Sequence, residues 1–341
     1  MKPILIALAL AVIVVGLYAQ HVRIGEFVYE DERLIPAAGG APLAIGQILR
    51  GRGVSRWSWT QVQTPQASHA ISLGLHLVAV ALVALLMWQL SASALAAGGA
   101  AAIAALHPLQ TQAIAYAAER DDLIAAIGVL VAANAAAASR WLIWLLVPVG
   151  AWLAYAGKET GIAVAAIVPL VLWMRGRLDE WMVWLGGLGA WIALVVLTDG
   201  RIVEGVQRIV NIGESDRFAT AGAWEWLLLQ STAVYRLLML SIVPWPGWLT
   251  PDPDIAIVPV VLQAGAAILL VALCETAWRL RRSQPFVAFG VAWCLAGVLP
   301  RLFVQTPWSY IAEAHWYLSL IGLSLAAGAW IAGVKELRLC R

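Results

Sequence analysis

The residues best suited to chemistry lie in a polar island between two apolar runs, His107 to Leu123, read HPLQTQAIAYAAERDDL. His107, Gln110, Thr111, Glu119, Arg120, Asp121 and Asp122 all fall within it. Inside a membrane such an island costs free energy unless it is wet, paired or used. Helix caps account for part of it. Pro108 suits the first helical turn after His107, and Asp121 and Asp122 favour a helix N-terminus by their charge. Caps do not account for a neutral His-Pro-x-Gln-Thr run followed by an arginine. Three more groups stand at the ends of other apolar runs: the acids Glu30 and Asp31 in GEFVYEDERLI, Lys158 and Glu159 in AYAGKETGI, and Glu313, His315 and Tyr317 in IAEAHWYLSLIGL.

Cations, carboxylates and an apolar surface together suit group transfer from a lipid phosphate. The lipid tail needs a groove that faces the membrane. The phosphate needs arginine or lysine, whose charge-assisted hydrogen bonds stabilise the charge left on it. An acceptor hydroxyl needs a carboxylate base within hydrogen-bond reach. If the acceptor attacks the sugar carbon opposite the leaving phosphate, that carbon inverts. Structural readings stand beside each group: Lys158 pairs with Glu159 or across the bundle, His315 is an interfacial anchor, and the first-loop acids belong to a solvated loop. A metal site drawn from His107, His315 and carboxylates has no short ligand spacing behind it. No metal ligands are assigned and no cofactor is expected, though a divalent cation is admissible.

The elements that must position these groups are membrane helices. The chain has 341 residues, 62% hydrophobic and only 12% charged, where a soluble domain is nearer half apolar and a quarter charged. This predicts a single all-α polytopic membrane domain over 1–341, a bundle of about 10–11 helices of the length that crosses a bilayer. Nothing in the charge pattern suits nucleic acid; the bilayer itself is the expected partner. Cys274, Cys294 and Cys340 make neither a disulfide framework nor a metal pattern. An uncleaved first span is expected at 3–19, followed by a long polar loop at 21–68. In that loop Trp57 and Trp59 read as interface anchors and 43–50 as a short helix on the membrane. Further spans are expected at 70–90, 94–106, 123–138, 141–156, 161–173, 181–198, 255–278, 286–303 and 314–334, with a second outer loop at 199–222. The stretch 224–254 reads as re-entrant or interfacial. If 224–243 crossed, the Arg279, Arg281, Arg282 cluster would land outside, against the positive-inside rule. Irregular backbone at membrane depth needs protein or a wet cavity around it, so this topology implies a cavity on the outer face.

At these residues the sequence resembles the polytopic, lipid-phosphate-sugar-dependent glycosyltransferases of the GT-C superfamily. It is closest to the membrane part of the transmembrane-and-tetratricopeptide-repeat O-mannosyltransferases and their bacterial relatives. FVYEDERLI resembles the family's first-loop acidic stretch, HPLQTQAIAYAAERDDLIAA its His-Pro-x-x-Thr-Glu motif with a following Arg-x-Asp, GKETGIAVAAIVPL its Ser-Lys-Glu motif, and EAHWYLSLIGL its Glu-x-x-x-Tyr-Leu-Pro ending. LLLQSTAVYRLLMLSIVPWPGWL, which contains Arg236, matches more loosely. The resemblance covers most of the chain. It implies that Asp31, with Glu30, acts on the acceptor, and that Arg120, Lys158 and Arg236 bind the donor phosphate. Glu30 stands where the family has Asp, Gln112 where it has Glu, Gly157 where it has Ser and Ser319 where it has Pro, and no repeat tail follows the last span.

The resemblance therefore implies an inverting transferase. Its donor is a polyprenyl-phosphate-linked sugar and its acceptor a hydroxyl on a protein, glycan or lipid. The missing repeats and the Ala-, Trp- and Arg-rich composition lead to the further expectation that its site faces the periplasm from a bacterial inner membrane. Two alternatives are a transporter or flippase of lipid-linked sugars, and an inactive scaffold. Transporters place charge near the midplane on interrupted helices, whereas here charge gathers at one face, with the Gln230–Arg236 segment as the exception.

Overall fold

The computed structural model describes residues 2–27, 31, 43–62, 64–177, 223–245, 259–302 and 313–334. Glu30, the expected span at 181–198, the loop at 199–222 and the stretch 246–254 lie outside the described residues.

Every element among the described residues is helical. The helices are α1 (Lys2–Ile24), α2 (Ile45–Ile48), α3 (Gly53–Gln61), α4 (Pro65–Ser91), α5 (Ala94–Leu106), α6 (Thr111–Ala115), α7 (Arg120–Ala138), α8 (Arg140–Gly157), α9 (Val164–Met174), α10 (Ala223–Ile242), α11 (Val260–Leu280), α12 (Pro285–Leu302) and α13 (Tyr317–Ile331). Three 3-10 turns punctuate them: Pro108–Gln110, Glu159–Ala163 and Ala314–Trp316. Three of the described helices, α4, α7 and α11, are long and apolar enough to cross a membrane. The first-loop segment expected as a short helix forms α2, with one turn only. Of the stretch 224–243, all but Val243 lies in one continuous helix, α10.

Local sequence sets these boundaries. Pro65 opens α4 at its first position, where the missing N–H leaves nothing unpaired. Ser93 caps α5 by accepting from the Ala96 N–H. His107 ends α5 in extended backbone, and its side chain then accepts from the Leu109 N–H to start the next turn. Asp121 and Asp122 lie in the first turn of α7 as their charge suggests.

The core is organised around α7. It is apolar on every side and rich in alanine, and almost all of it is buried, as expected of a helix enclosed by others. Helices α4, α8 and α9 pack on it, and α12 and α13 close the bundle behind α5. Small residues let α7 and α8 touch backbone to backbone. A Cβ on Gly128 would lie 2.2 Å from the Ala154 nitrogen, and one on Gly150 would lie 2.6 Å from the Gly128 carbonyl. Helices in lipid associate by such close approach. Gly128→Val should therefore destabilise the chain by about 1–3 kcal/mol or more. Gly74→Ala, at an exposed position with open space around it, should be neutral or stabilising. Thermal unfolding in detergent compares the two. By contrast, only 17% of the apolar window of α11 is buried, and Val260, Val261, Ile268 and Val271 point outward, a surface suited to lipid.

The two ends of the bundle differ in charge. Arg175 donates to the Gln89 carbonyl at 3.1 Å and Arg177 to the Ala136 carbonyl at 3.1 Å, each at the C-terminal end of a helix. Such caps satisfy terminal carbonyls and oppose the helix dipole. The island and its neighbours lie at the opposite end.

Candidate functional site

The polar end is built by segments far apart in sequence. Asp31 reaches the island: its two carboxylate oxygens accept from the Ala117 N–H at 3.0 Å and the Ala118 N–H at 2.6 Å, and the residue is fully buried. Trp59 lies under the same turn, 6% exposed, and donates its indole N–H to the Ala117 carbonyl at 3.2 Å. This corrects its reading as an interface anchor. Trp57, on the next face of α3, is 43% exposed.

Arg120 is also fully buried. Its Nε donates to Ser72 Oγ at 3.3 Å, Nη1 to the Ser58 carbonyl at 3.2 Å, and Nη2 to the Ser68 carbonyl at 2.9 Å and to Ser68 Oγ. The guanidinium is thus spent on α3 and the start of α4, and Asp31 supplies nearby opposite charge. A donor phosphate would have to displace these bonds.

Lys158 pairs across the bundle rather than with Glu159. It is 3% exposed, and its Nζ lies 3.2 Å from Glu119 Oε2, 3.1 Å from Asp121 Oδ1 and 2.6 Å from Asp122 Oδ2. Glu159 instead takes Arg52, whose Nε lies 2.7 Å from Glu159 Oε2, while Arg52 Nη1 lies 3.6 Å from Asp121 Oδ2. Burial alone would lower the pKa of Lys158, but Asp121, Asp122 and Glu119 outweigh it and hold the ammonium above its usual value. For Glu119, burial pushes upward, but Lys158 and Arg52 leave the carboxyl below its usual range. Arg52 takes a left-handed backbone conformation, φ 57°, uncommon for a residue with a side chain.

The last segment docks on the same end. Ligand atoms of Glu119, Asp122 and His315 all lie within 4.8 Å of one another. Arg236 Nη2 lies 3.4 Å from Glu313 Oε1. Tyr317 is buried, and its hydroxyl donates to His76 Nδ1 at 2.8 Å while His76 Nε2 donates to the Ala105 carbonyl at 3.2 Å. His107 stands apart from the carboxylates. Its Nε2 faces the Ser241 carbonyl at 3.2 Å and its Nδ1 accepts from Leu109 N–H. Burial pushes its pKa down, so it is a neutral cap. Thr111 is exposed and bonds Tyr18. Gln110 is fully buried with neither end of its amide partnered.

The structure thus brings Asp31, Glu119, Arg120, Lys158, Glu159, Glu313, His315 and Tyr317 to one end and leaves His107 as a turn cap. Sequence reasoning missed Arg52 and the polar stripe Ser68, His69, Ser72 and His76 on α4, all buried. Their spacing along one face of an otherwise apolar helix is a usable signal. The sequence SHAISLGLH carried it.

No protein-family model, characterised protein or solved structure matches this chain.

Proposed function

We propose that the chain is an inverting glycosyltransferase. It moves a sugar from a polyprenyl-phosphate donor to a hydroxyl of a protein, glycan or lipid, at the outer face of a bacterial inner membrane. One observation carries the reading. The segments that hold the resemblance, separated by up to most of the chain, converge on one end through the contacts of Asp31, Glu119, Lys158 and His315. An apolar cleft of about 420 Å³ between α1, α4 and α5, lined by Leu10, Val14, Leu77, Val80, Trp88 and Ala97, suits a lipid tail.

The geometry redistributes the roles that the resemblance implies. A base must reach its proton, and Asp31 is buried with both oxygens held by N–H groups. In this reading Glu30 takes the acceptor's proton and Asp31 fixes the loop. Of the three carried-over cations, Arg120 is 0% exposed and the side chain of Lys158 3%, whereas that of Arg236 keeps 19%. Arg236 therefore meets the donor phosphate.

The test is sugar transfer in nanodiscs, with a panel of polyprenyl-phosphate sugars and crude periplasmic acceptors. Glu30→Gln should lower kcat by at least about a hundredfold, the scale of a lost general base, with thermal stability unchanged. Asp31→Asn should instead lower the unfolding temperature, since an amide NH2 must face one of the two N–H groups, at a cost of about 1–3 kcal/mol. Equal rates for Glu30→Gln and the unaltered chain would sink the base assignment. No transfer from any donor, with donor binding intact, would favour a flippase. That second reading draws on the buried Ser68, His69, Ser72 and His76 stripe, since intramembrane ionisable groups mark transport paths as well as catalytic sites.

A further inference from the structure

We propose that Glu119, Asp122 and His315 bind a divalent cation of the Mn2+ or Zn2+ type. Their ligand atoms come from two chain segments and lie within 4.8 Å of one another. Ligand atoms bound to one ion at roughly 2.0–2.2 Å lie about 3.0–3.6 Å apart in tetrahedral or cis positions, so side-chain rotations that draw the three together seat it. Two carboxylates and an imidazole form a mixed oxygen and nitrogen set, which suits these metals better than a purely hard cation.

Charge supplies a second argument. Among the described residues the cluster holds the carboxylates of Glu119, Asp121, Asp122 and Glu159 against the cations Lys158 and Arg52. The carboxyl groups outnumber these cations by two, beside an ammonium that is itself buried. A buried carboxylate persists when it is paired or coordinates a metal, and a divalent ion is such a partner for the surplus carboxyl groups. Lys158 contacts one oxygen of Glu119 and one of Asp122. It fixes both carboxylates from the α8 side, while His315 arrives on a turn outside that hairpin.

The surroundings agree. The turn Pro108–Gln110 packs on the turn Ala314–Trp316 that carries His315. At its end stands Gln110, fully buried and unpartnered at both amide atoms, a group that a bound ion's water would satisfy. The Glu119 side chain is 24% exposed, which gives the ion a way in. Three protein ligands leave open positions on the metal, as catalytic sites do. Use of those positions by a donor phosphate rests on the transferase reading, whereas binding of the ion does not.

The test reads binding and not activity. The full chain is purified in detergent, stripped with EDTA, desalted and titrated with Mn2+ alone, with free Mn2+ followed by electron paramagnetic resonance. One saturable site per chain is expected. His315→Ala and Glu119→Gln should each weaken it at least about tenfold, the scale on which even outer-shell changes act on metal sites. Glu275→Gln, an exposed acid at the other end of the bundle, should leave it unchanged. Absence of a saturable site in the unaltered chain overturns the proposal, as does equal affinity in both ligand variants. If circular dichroism shows that His315→Ala does not fold, His315→Gln and the unaltered chain decide by the same criteria.

Discussion

Lys158→Met is expected to cost about 3–5 kcal/mol of stability, the penalty for stripping one partner from a buried ion network. The ammonium is 3% exposed and touches three carboxylates, two of them nearly as buried. Methionine matches the stem but leaves Asp121 and Asp122 facing each other without it. Combining Lys158→Met with Asp121→Asn and Asp122→Asn should recover part of the loss, because neighbouring charges are not additive. Thermal unfolding in detergent measures both. A loss below about 1 kcal/mol for the single change would mean that the network is solvated like a surface pair. The pH dependence has a definite sign. Since the folded chain holds the pKa of Lys158 above the ordinary 10.5, its contribution is fully present below that value. It disappears only as the pH rises through the raised one.

Arg120→Met should be nearly as severe, about 3–5 kcal/mol. Five donors vanish at once, and the Ser58 and Ser68 carbonyls lose a charged partner. Arg120→Lys should recover little, because one ammonium cannot reproduce a fork that meets Ser58, Ser68 and Ser72 in different directions. The consequence for function is specific. If the arginine is structural, variants that remain folded should keep their affinity for a polyprenyl-phosphate donor, whereas Arg236→Ala should lose it. A folded Arg120 variant with donor binding abolished would return the phosphate role to Arg120.

Much of the fold could be read from apolar runs. The expected span at 94–106 coincides with α5, and 141–156 and 286–303 differ from α8 and α12 by one or two residues. The helix at 123–138 starts three residues earlier, at Arg120, because the polar residues before Leu123 are its first turn and not its approach. Lys158 was recognisable as a pairing residue. Its partners were not, since the choice among Glu159 and the island acids depends on how α7 and α8 meet. The same holds for Asp31. Residue type marks a carboxylate as a base candidate, but only the tertiary contact with Ala117 and Ala118 reveals that both oxygens are occupied. Arg52 was not assigned to the site because nothing in its neighbourhood places it against Glu159 and Asp121. Trp59 was misjudged because an indole beside a span suits the membrane interface and a buried turn equally well.

The antiparallel contact of α7 with α8 bears on the order of synthesis. Asp121 and Asp122 begin this hairpin and Lys158 follows its last residue, so 120–158 emerges from the ribosome as one continuous stretch. Once its two helices meet, the lysine at one end pairs with both acids at the other with no help from later residues. A hairpin closed in this way can enter the bilayer as a unit instead of dragging three uncompensated charges along separately. His315 is made almost half the chain later. The charged end is therefore assembled early in translation and completed late.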